Sequence, residues 1–328
     1  MKIKKISVIG AGSWGTALAL LMAENGLNVA LWARRKEVAD KIKESRENKQ
    51  YLPNIKLPEN IFISNDIGEV VYDSEIIFVS VPSLYFRSVL KSIKPNFSNQ
   101  IVVSATKGLE RITLKRMSEV IEEEIGKNVK IVVLSGPNLV EEVSRKQPTA
   151  SVMASKDKAA VKIAAECLRT STLKVYELSD VVGVEICGAL KNITALAVGV
   201  CDGFKLGDNA RACIMTIGLA EMNSLGRVFG VKRSTFYGLA GVGDLIATCT
   251  STHSRNRFFG QKLTEGKKVH EIIKEMSGMI AEGVVTTEAA YKLSKKHSIN
   301  MPLTEETYKV LYEGKDLRTA IKDLIEII

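Results

Sequence analysis

Histidine is nearly missing from this chain: His253, His270 and His297 are the only three in 328 residues. Cysteine is sparse too, at Cys167, Cys187, Cys201, Cys213 and Cys249. No Cys-x-x-Cys pair occurs, and the histidines are scattered, so the ligand spacing of a zinc site is lacking and no metal is expected. An odd cysteine count in a long chain fits reduced, mostly buried thiols in a reducing compartment. Aromatic residues make up only 6%, and none interleaves with a basic block. The net charge of +9 is therefore read as a solvated, lysine-rich surface rather than a nucleic-acid interface. No apolar run reaches the roughly 18–20 residues that a membrane helix needs, which argues against membrane insertion. The basic start, Met1 to Lys5, precedes an apolar stretch, but glycines at fixed spacing follow instead of a cleavage site. A first strand, not a signal peptide, is expected there, and with it a cytoplasmic protein.

What is present is ordinary for a globular protein: 45% hydrophobic and 25% charged residues, over a length that suggests two domains. In the first half, short apolar runs alternate with amphipathic stretches. Strands are expected at Ile6–Ile9, Val29–Trp32, Ile76–Val81, Ile101–Ser104 and Ile131–Leu134, with further ones at Thr149–Ala154 and Leu173–Glu177. Continuous apolar strands separated by helices imply a parallel sheet covered on both faces. From Val181 onward helical spacing dominates, over Val184–Val200, Arg211–Phe229, Arg255–Thr264, Lys268–Met276, Val285–Lys296 and Thr304–Glu313. The expected fold class is α/β, a Rossmann-like dinucleotide-binding domain over residues 1–183 followed by an all-helical substrate-binding and catalytic domain over 184–328. No internal repeat and no low-complexity linker marks the boundary.

Gly10-Ala11-Gly12-Ser13-Trp14-Gly15 follows the first strand and opens the first helix. In that context Gly-x-Gly-x-x-Gly is a dinucleotide fingerprint: Gly10 for the tight turn, Gly12 for backbone approach to the pyrophosphate, Gly15 for helix-on-strand packing. The helix N-terminus then meets the phosphates. The second strand ends in Trp32-Ala33-Arg34-Arg35-Lys36, without the acid that would hold an adenosine 2′-hydroxyl. Arg34 and Arg35 suit a 2′-phosphate, so NADP(H) is the favoured cofactor, with NAD(H) also admitted.

Further segments resemble the bacterial NAD(P)-dependent glycerol-3-phosphate dehydrogenases, in that family's order. They are Ala105-Thr106-Lys107-Gly108-Leu109-Glu110, Leu134-Ser135-Gly136-Pro137-Asn138 and Gly183-Val184-Glu185-Ile186-Cys187-Gly188-Ala189-Leu190-Lys191-Asn192. Gly207 to Ala212, Gly218 to Met222, Gly238 to Leu245, Ser254-Arg255-Asn256-Arg257 and Ala281-Glu282-Gly283 complete the series. The resemblance implies reduction of dihydroxyacetone phosphate to sn-glycerol 3-phosphate, for glycerophospholipid synthesis, by a homodimer.

The chemistry of the residues runs beside that resemblance. Ketone reduction needs a hydride donor and a proton donor at the carbonyl oxygen. Lys191 interrupts an apolar helix, and a charge there needs a partner or a purpose. An ammonium at that position can stabilise and then protonate a developing alkoxide. Lys107 follows the fourth expected strand, at the carboxyl edge where ligands of such sheets sit, and its charge would lower the pKa of Lys191. Asp244 is expected in a glycine loop, accepting from Lys191 and a substrate hydroxyl; the alternative is a helix N-cap. Ser254 reads as an N-cap, and with Arg255 and Asn256 as a phosphate site, whereas Arg257 reads as a surface charge.

By resemblance, Lys191, Lys107 and Asp244 are catalytic. Gly136, Asn138, Asn192, Ser254, Arg255 and Asn256 touch substrate, along with those three. Ser13, Trp14, Lys107, Val140, Arg255, Ile280 and Glu282 touch cofactor. The chain departs from the family pattern at Asn138-Leu139-Val140, and Trp14 stands where Phe or Tyr is frequent. Two other readings compete: a β-hydroxyacid dehydrogenase, whose carboxylate substrate would not need the Ser254–Arg257 phosphate site, and a non-catalytic nucleotide sensor, which would not need the lysines.

Overall fold

Eight strands carry the first part of the chain: β1 (Ile6–Ile9), β2 (Val29–Trp32), β3 (Ile61–Ser64), β4 (Ile76–Val79), β5 (Ile101–Ser104), β6 (Lys130–Ser135), β7 (Thr149–Ala154) and β8 (Leu173–Leu178). They form one sheet in the order β3-β2-β1-β4-β5-β6-β7-β8, the strand order of a dinucleotide-binding sheet. The computed structural model describes residues 3–276, 279 and 281–327.

The strands are buried on both faces because their side chains alternate between two cores. Ile6, Val8, Val29, Leu31, Ile76, Phe78, Ile101 and Val103 pack on one side. Ile9, Ala30, Trp32, Ile77, Val79 and Val102 pack on the other. The expectation of a parallel sheet needs one correction: β6 and β7 run antiparallel. Only the five-residue helix Val140–Ser144 lies between them, too little chain for a crossover that restores the strand direction. β3 was not anticipated; it is a four-residue edge strand that leaves Phe62 45% exposed.

The chain divides into two compact units: Met1–Thr106 with Met117–Val181, and Lys107–Arg116 with Val182–Ile328. The second unit is helical, with helices Asp208–Val228, Arg233–Phe236, Asp244–Thr250, Arg255–Leu263, Val269–Glu275, Glu282–Lys296, Pro302–Tyr312 and Leu317–Ile327. Its longest helix, Val181–Gly203, has the length and apolarity to cross a membrane, yet 89% of its most apolar window is buried in the protein. It is a core helix, because Ile186, Leu190 and Ile193 pack with Leu225, Phe236, Leu245 and Leu293. Helix Arg255–Leu263 lies against its backbone: a Cβ on Gly260 would sit 2.0 Å from the Leu196 carbonyl, and one on Gly199 2.0 Å from that of Arg257. That contact fixes which residues of the two helices meet.

Candidate active site

In the first unit, β1 turns at Gly10 (φ +114°), where a Cβ would lie 2.4 Å from the Ser80 carbonyl oxygen. A Cβ on Gly15 would lie 1.9 Å from the Gly10 carbonyl oxygen, so strand and helix touch there. A Cβ on Gly12 would meet nothing within 4 Å. Gly12 is the N-cap of helix Ser13–Glu24, which has no side-chain cap and no acid in its first turn. An open approach to an uncapped helix N-terminus suits an anion. The indole N–H of Trp14 is buried there without a partner among the described residues. Asn48, 1% exposed, donates to the Ala11 carbonyl at 2.9 Å and to Thr16 Oγ1 at 2.8 Å. It braces the glycine turn from below, and a lone asparagine 32 residues from Thr16 gave no sequence signal.

The two arginines after β2 differ. Arg35 is occupied by Gln50 at 3.1 Å and Glu37 at 3.7 Å. Arg34 lies over the Tyr85 ring, 5.2 Å from its centroid. Asn138 is buried and donates to Ser151 Oγ at 3.2 Å. Val140 packs with Ala17 and Leu52, so it supports the helix that the glycine turn opens. Gly136 adopts φ +113° after β6.

The second unit gathers the charged residues. A turn of π-helix, Leu239–Gly243, delivers Asp244 as the first residue of helix Asp244–Thr250, with Gly243 at the N-cap position. Asp244 is thus helical, not in a loop. Its carboxylate is 2% exposed and accepts from Lys107 at 2.8 Å and from Lys191. Lys191 also donates to Thr248 Oγ1 at 2.5 Å. Thr248 was not foreseen, although Asp-x-x-x-Thr on a helix sets the two side chains on one face. Burial drives the Lys107 ammonium down to about 8 although Asp244 opposes the fall, and the neighbouring Lys191 charge adds to it. Burial alone would raise the Asp244 carboxyl, but the two ammoniums together hold it below the usual carboxylate range.

Beside Lys191, Asn192 and Asn256 are both buried. The Asn256 amide donates to Asn192 Oδ1 at 2.9 Å, and its Oδ1 accepts from the Gly283 N–H at 2.9 Å. Asn192 in turn donates to the Gly188 carbonyl at 3.3 Å. Three helices are thereby joined at the residues next to Lys191, Arg255 and Glu282. Ser254 caps helix Arg255–Leu263, accepting from the Arg257 N–H at 3.3 Å. Arg255 is exposed at the start of that helix, and Glu282 heads helix Glu282–Lys296, half-buried. Arg257 is not a surface charge: it is 13% exposed, pairs with Asp202 and donates to the Thr250 carbonyl at 3.0 Å. Ile280 lies outside the described residues. Lys107, Lys191, Asp244, Asn192, Ser254, Arg255 and Asn256 therefore all belong to the helical unit, whereas Gly10 to Gly15, Arg34, Arg35, Gly136, Asn138 and Val140 belong to the sheet unit.

Two family models match the chain: the N-terminus of NAD-dependent glycerol-3-phosphate dehydrogenase over residues 5–161, and its C-terminus over residues 180–322. A glycerol-3-phosphate dehydrogenase (NAD(P)+) of Bacillus subtilis (strain 168) is 46% identical over 326 residues, covering 98% of this chain and 94% of that protein. Its counterpart in Thermoanaerobacter sp. (strain X514) is 47% identical over 322 residues, with 98% and 96% covered. Among solved structures, the glycerol-3-phosphate dehydrogenase of Coxiella burnetii superposes with a TM-score of 0.95 at 40% identity, covering 99% of each chain.

Proposed function

The chain belongs to the NAD-dependent glycerol-3-phosphate dehydrogenase family, and from that premise we infer that it reduces dihydroxyacetone phosphate to sn-glycerol 3-phosphate with a nicotinamide dinucleotide. The observation that carries this reading is the buried Lys107–Asp244–Lys191 cluster. Two ammoniums share one carboxylate, which leaves a positive charge poised for an anionic or oxyanionic ligand.

The sheet unit is the dinucleotide-binding domain. The open Gly12 backbone, the uncapped N-terminus at Ser13 and the unpartnered Trp14 N–H fit a pyrophosphate and its surroundings. Arg34, which lies over Tyr85 and among the described residues is not tied to a carboxylate as Arg35 is, takes the 2′-phosphate and favours NADP(H), with NAD(H) also accepted. Gly136, Asn138, Val140, Ile280 and Glu282 are assigned to the ligands on family resemblance.

The helical unit is the catalytic domain. The bound nicotinamide supplies the hydride. Lys191, held by Asp244 and Thr248, donates the proton to the carbonyl oxygen as charge develops on it. Lys107, which donates to the other carboxylate oxygen of Asp244, contacts substrate and adds positive potential. Asp244 keeps both ammoniums aimed, and its second role is to orient a substrate hydroxyl. The exposed Arg255 and the helix start at Ser254 receive the substrate phosphate, while Asn192 and Asn256 fix that helix start beside Lys191. This phosphate site is what favours a ketone phosphate over the carboxylate of a 3-oxo acid. The product is a glycerophospholipid backbone. The five free cysteines, four of them buried, support a reducing, cytoplasmic setting, and family resemblance supports a homodimer.

The test is loss of absorbance at 340 nm with purified protein, NADPH and dihydroxyacetone phosphate, with NADH and a 3-oxo acid in parallel. Oxidation that depends on the ketone phosphate is expected. Lys191→Ala should lower kcat by about 10²–10⁴-fold, the worth of a general acid, while NADPH binding survives. Near-normal turnover in that variant removes Lys191 from the acid role.

A further inference from the structure

Residues 107–116 follow β5 in the chain, yet they pack with the helical unit. The segment is a small hairpin. Leu109 and Arg116 face each other in an antiparallel bridge, and Glu110 exchanges backbone hydrogen bonds of 2.8 Å with Lys115 and Leu114. Several contacts fasten it to the helical unit. Leu109 is fully buried in the core that contains Leu190 and Ile193, on either side of Lys191. Arg116 donates to Glu185, on the helix of Lys191, at 2.8 Å, with the two side chains only 15% and 5% exposed. Arg111, half-exposed, pairs with Glu288 of helix Glu282–Lys296. The first residue of the hairpin is Lys107, whose ammonium reaches Asp244 at 2.8 Å.

We propose that the buried Arg116–Glu185 pair is a positioning device for the reaction inferred above: it pins the hairpin to the Lys191 helix and so sets Lys107 on Asp244. A buried ion pair is weak evidence for stability, because desolvating two charges offsets much of their attraction. It does fix position, because either charge, once drawn away from its partner, would be left buried and unpaired. Lys107 depends on that position. Its backbone opens the hairpin, and a flexible four-carbon stem does not select one position unaided. With the hairpin released, the Lys107 ammonium gains water and moves off Asp244. Lys191 then holds the carboxylate alone, without the second cation. The effect of Arg116 and Glu185 on the reaction passes through Lys107.

The experiment has one arm that needs turnover and one that does not. In the first, kcat for dihydroxyacetone phosphate in Glu185→Gln should fall by about 10–100-fold, as displacement of a reacting group by about 1 Å does. Arg116→Lys, which keeps the charge, should retain most of the activity. In a Lys107→Met background the Glu185→Gln change should cost nothing further, because the two then act in series. In the second arm, limited acetylation by acetic anhydride, read by peptide mass spectrometry, reports the exposure of Lys107. It should be low in the wild type and rise several-fold in Glu185→Gln, but not in Arg116→Lys. Glu185→Asp, which keeps the carboxylate and shortens its reach, provides a milder variant should Glu185→Gln fail to fold; its acetylation and kcat should move together. Unchanged Lys107 acetylation in the folded variants, or the same loss of kcat with and without Lys107, overturns the proposal. If the wild type turns over no ketone phosphate, the inferred reaction fails, and the acetylation arm still decides the positioning role.

Discussion

Replacing Asp244 by asparagine keeps the shape of the site and removes the anion that Lys107 and Lys191 share. The carboxylate is 2% exposed and binds Lys107 at 2.8 Å, Lys191, and Thr248 Oγ1 at 3.3 Å. At an effective dielectric of about 20, one charge pair at that separation is worth about 6 kcal/mol before desolvation is subtracted. Two buried ammoniums that lose the carboxylate between them do not both persist. One releases its proton, and Lys107, already pushed down to about 8 with Asp244 opposing the fall, is the group that yields. Without Asp244 its pKa falls further. For the reductive direction the sign follows: the cationic site is the active form, so kcat/KM declines as pH rises through the pKa. That limb should stand near 8 in the wild type and move to lower pH in Asp244→Asn. The peak kcat/KM should drop by about 10²–10³-fold, the usual cost of losing one preorganised electrostatic contact to a transition state. NADPH binding should change little, because the glycine turn and Arg34 belong to the sheet unit. The assay is NADPH oxidation at 340 nm across the pH range, with fluorescence titration of NADPH alongside. An unmoved limb together with kcat/KM within about threefold of wild type would refute the reasoning.

Two further perturbations test separate parts. Arg34→Ala should weaken NADPH by about 10–100-fold, the worth of one charge-assisted phosphate contact, and leave NADH nearly unchanged; Arg35→Ala should do less, since Arg35 is tied to Gln50 and Glu37. Equal wild-type dissociation constants for NADPH and NADH contradict this assignment. Glu221 is 5% exposed and accepts from the Leu303 and Thr304 N–H groups and the Thr304 hydroxyl, yet burial pushes its carboxyl up to about 7 from an ordinary 4.5. The folded form then holds a proton that the unfolded form has released between those values, so this residue's contribution to stability falls as pH rises through that window. Urea melts of wild type and Glu221→Gln should diverge between pH 5 and pH 8, by up to about 3 kcal/mol against the wild type; a pH-independent gap rejects the assignment.

The fold class was legible because the strands of a doubly covered sheet are continuous apolar runs, and Ile6–Ile9, Val29–Trp32 and Thr149–Ala154 occupy the residues that their composition suggests. Strand direction was not legible. Whether β7 runs with or against β6 depends on how far the chain between them reaches, and the apolar pattern of Thr149–Ala154 is the same either way. The hairpin at 107–116 is hidden for a related reason. Its apolar anchors are two leucines, Leu109 and the half-buried Leu114, too short a pattern to read, and its charged anchors, Arg111 and Arg116, look like any solvated loop until Glu288 and Glu185 are found opposite them. Lys191 stood out because a charge inside an apolar helix is costly. Thr248 and Asn48 did not, because a small polar residue becomes informative only when its partner is known.

The two lysines and the aspartate also constrain what the site can accept. Lys107 and Lys191 bring two positive charges to a region where Asp244 supplies one negative charge. A buried excess charge is unfavourable unless something neutralises it. The protein relieves part of that cost by lowering the Lys107 pKa toward neutrality, so the ammonium is easily given up when the site is empty and is retained when an anion arrives. Binding of a phosphate-bearing ketone should therefore be coupled to proton uptake above about pH 8, whereas a neutral ketone of the same shape gains nothing from the second lysine. The arrangement couples recognition of the substrate's charge to protonation of the groups that reduce it, and it does so inside one unit of the chain. On this argument the cation excess at Lys107 acts together with the phosphate site at Ser254 and Arg255 in separating a ketone phosphate from an uncharged ketone.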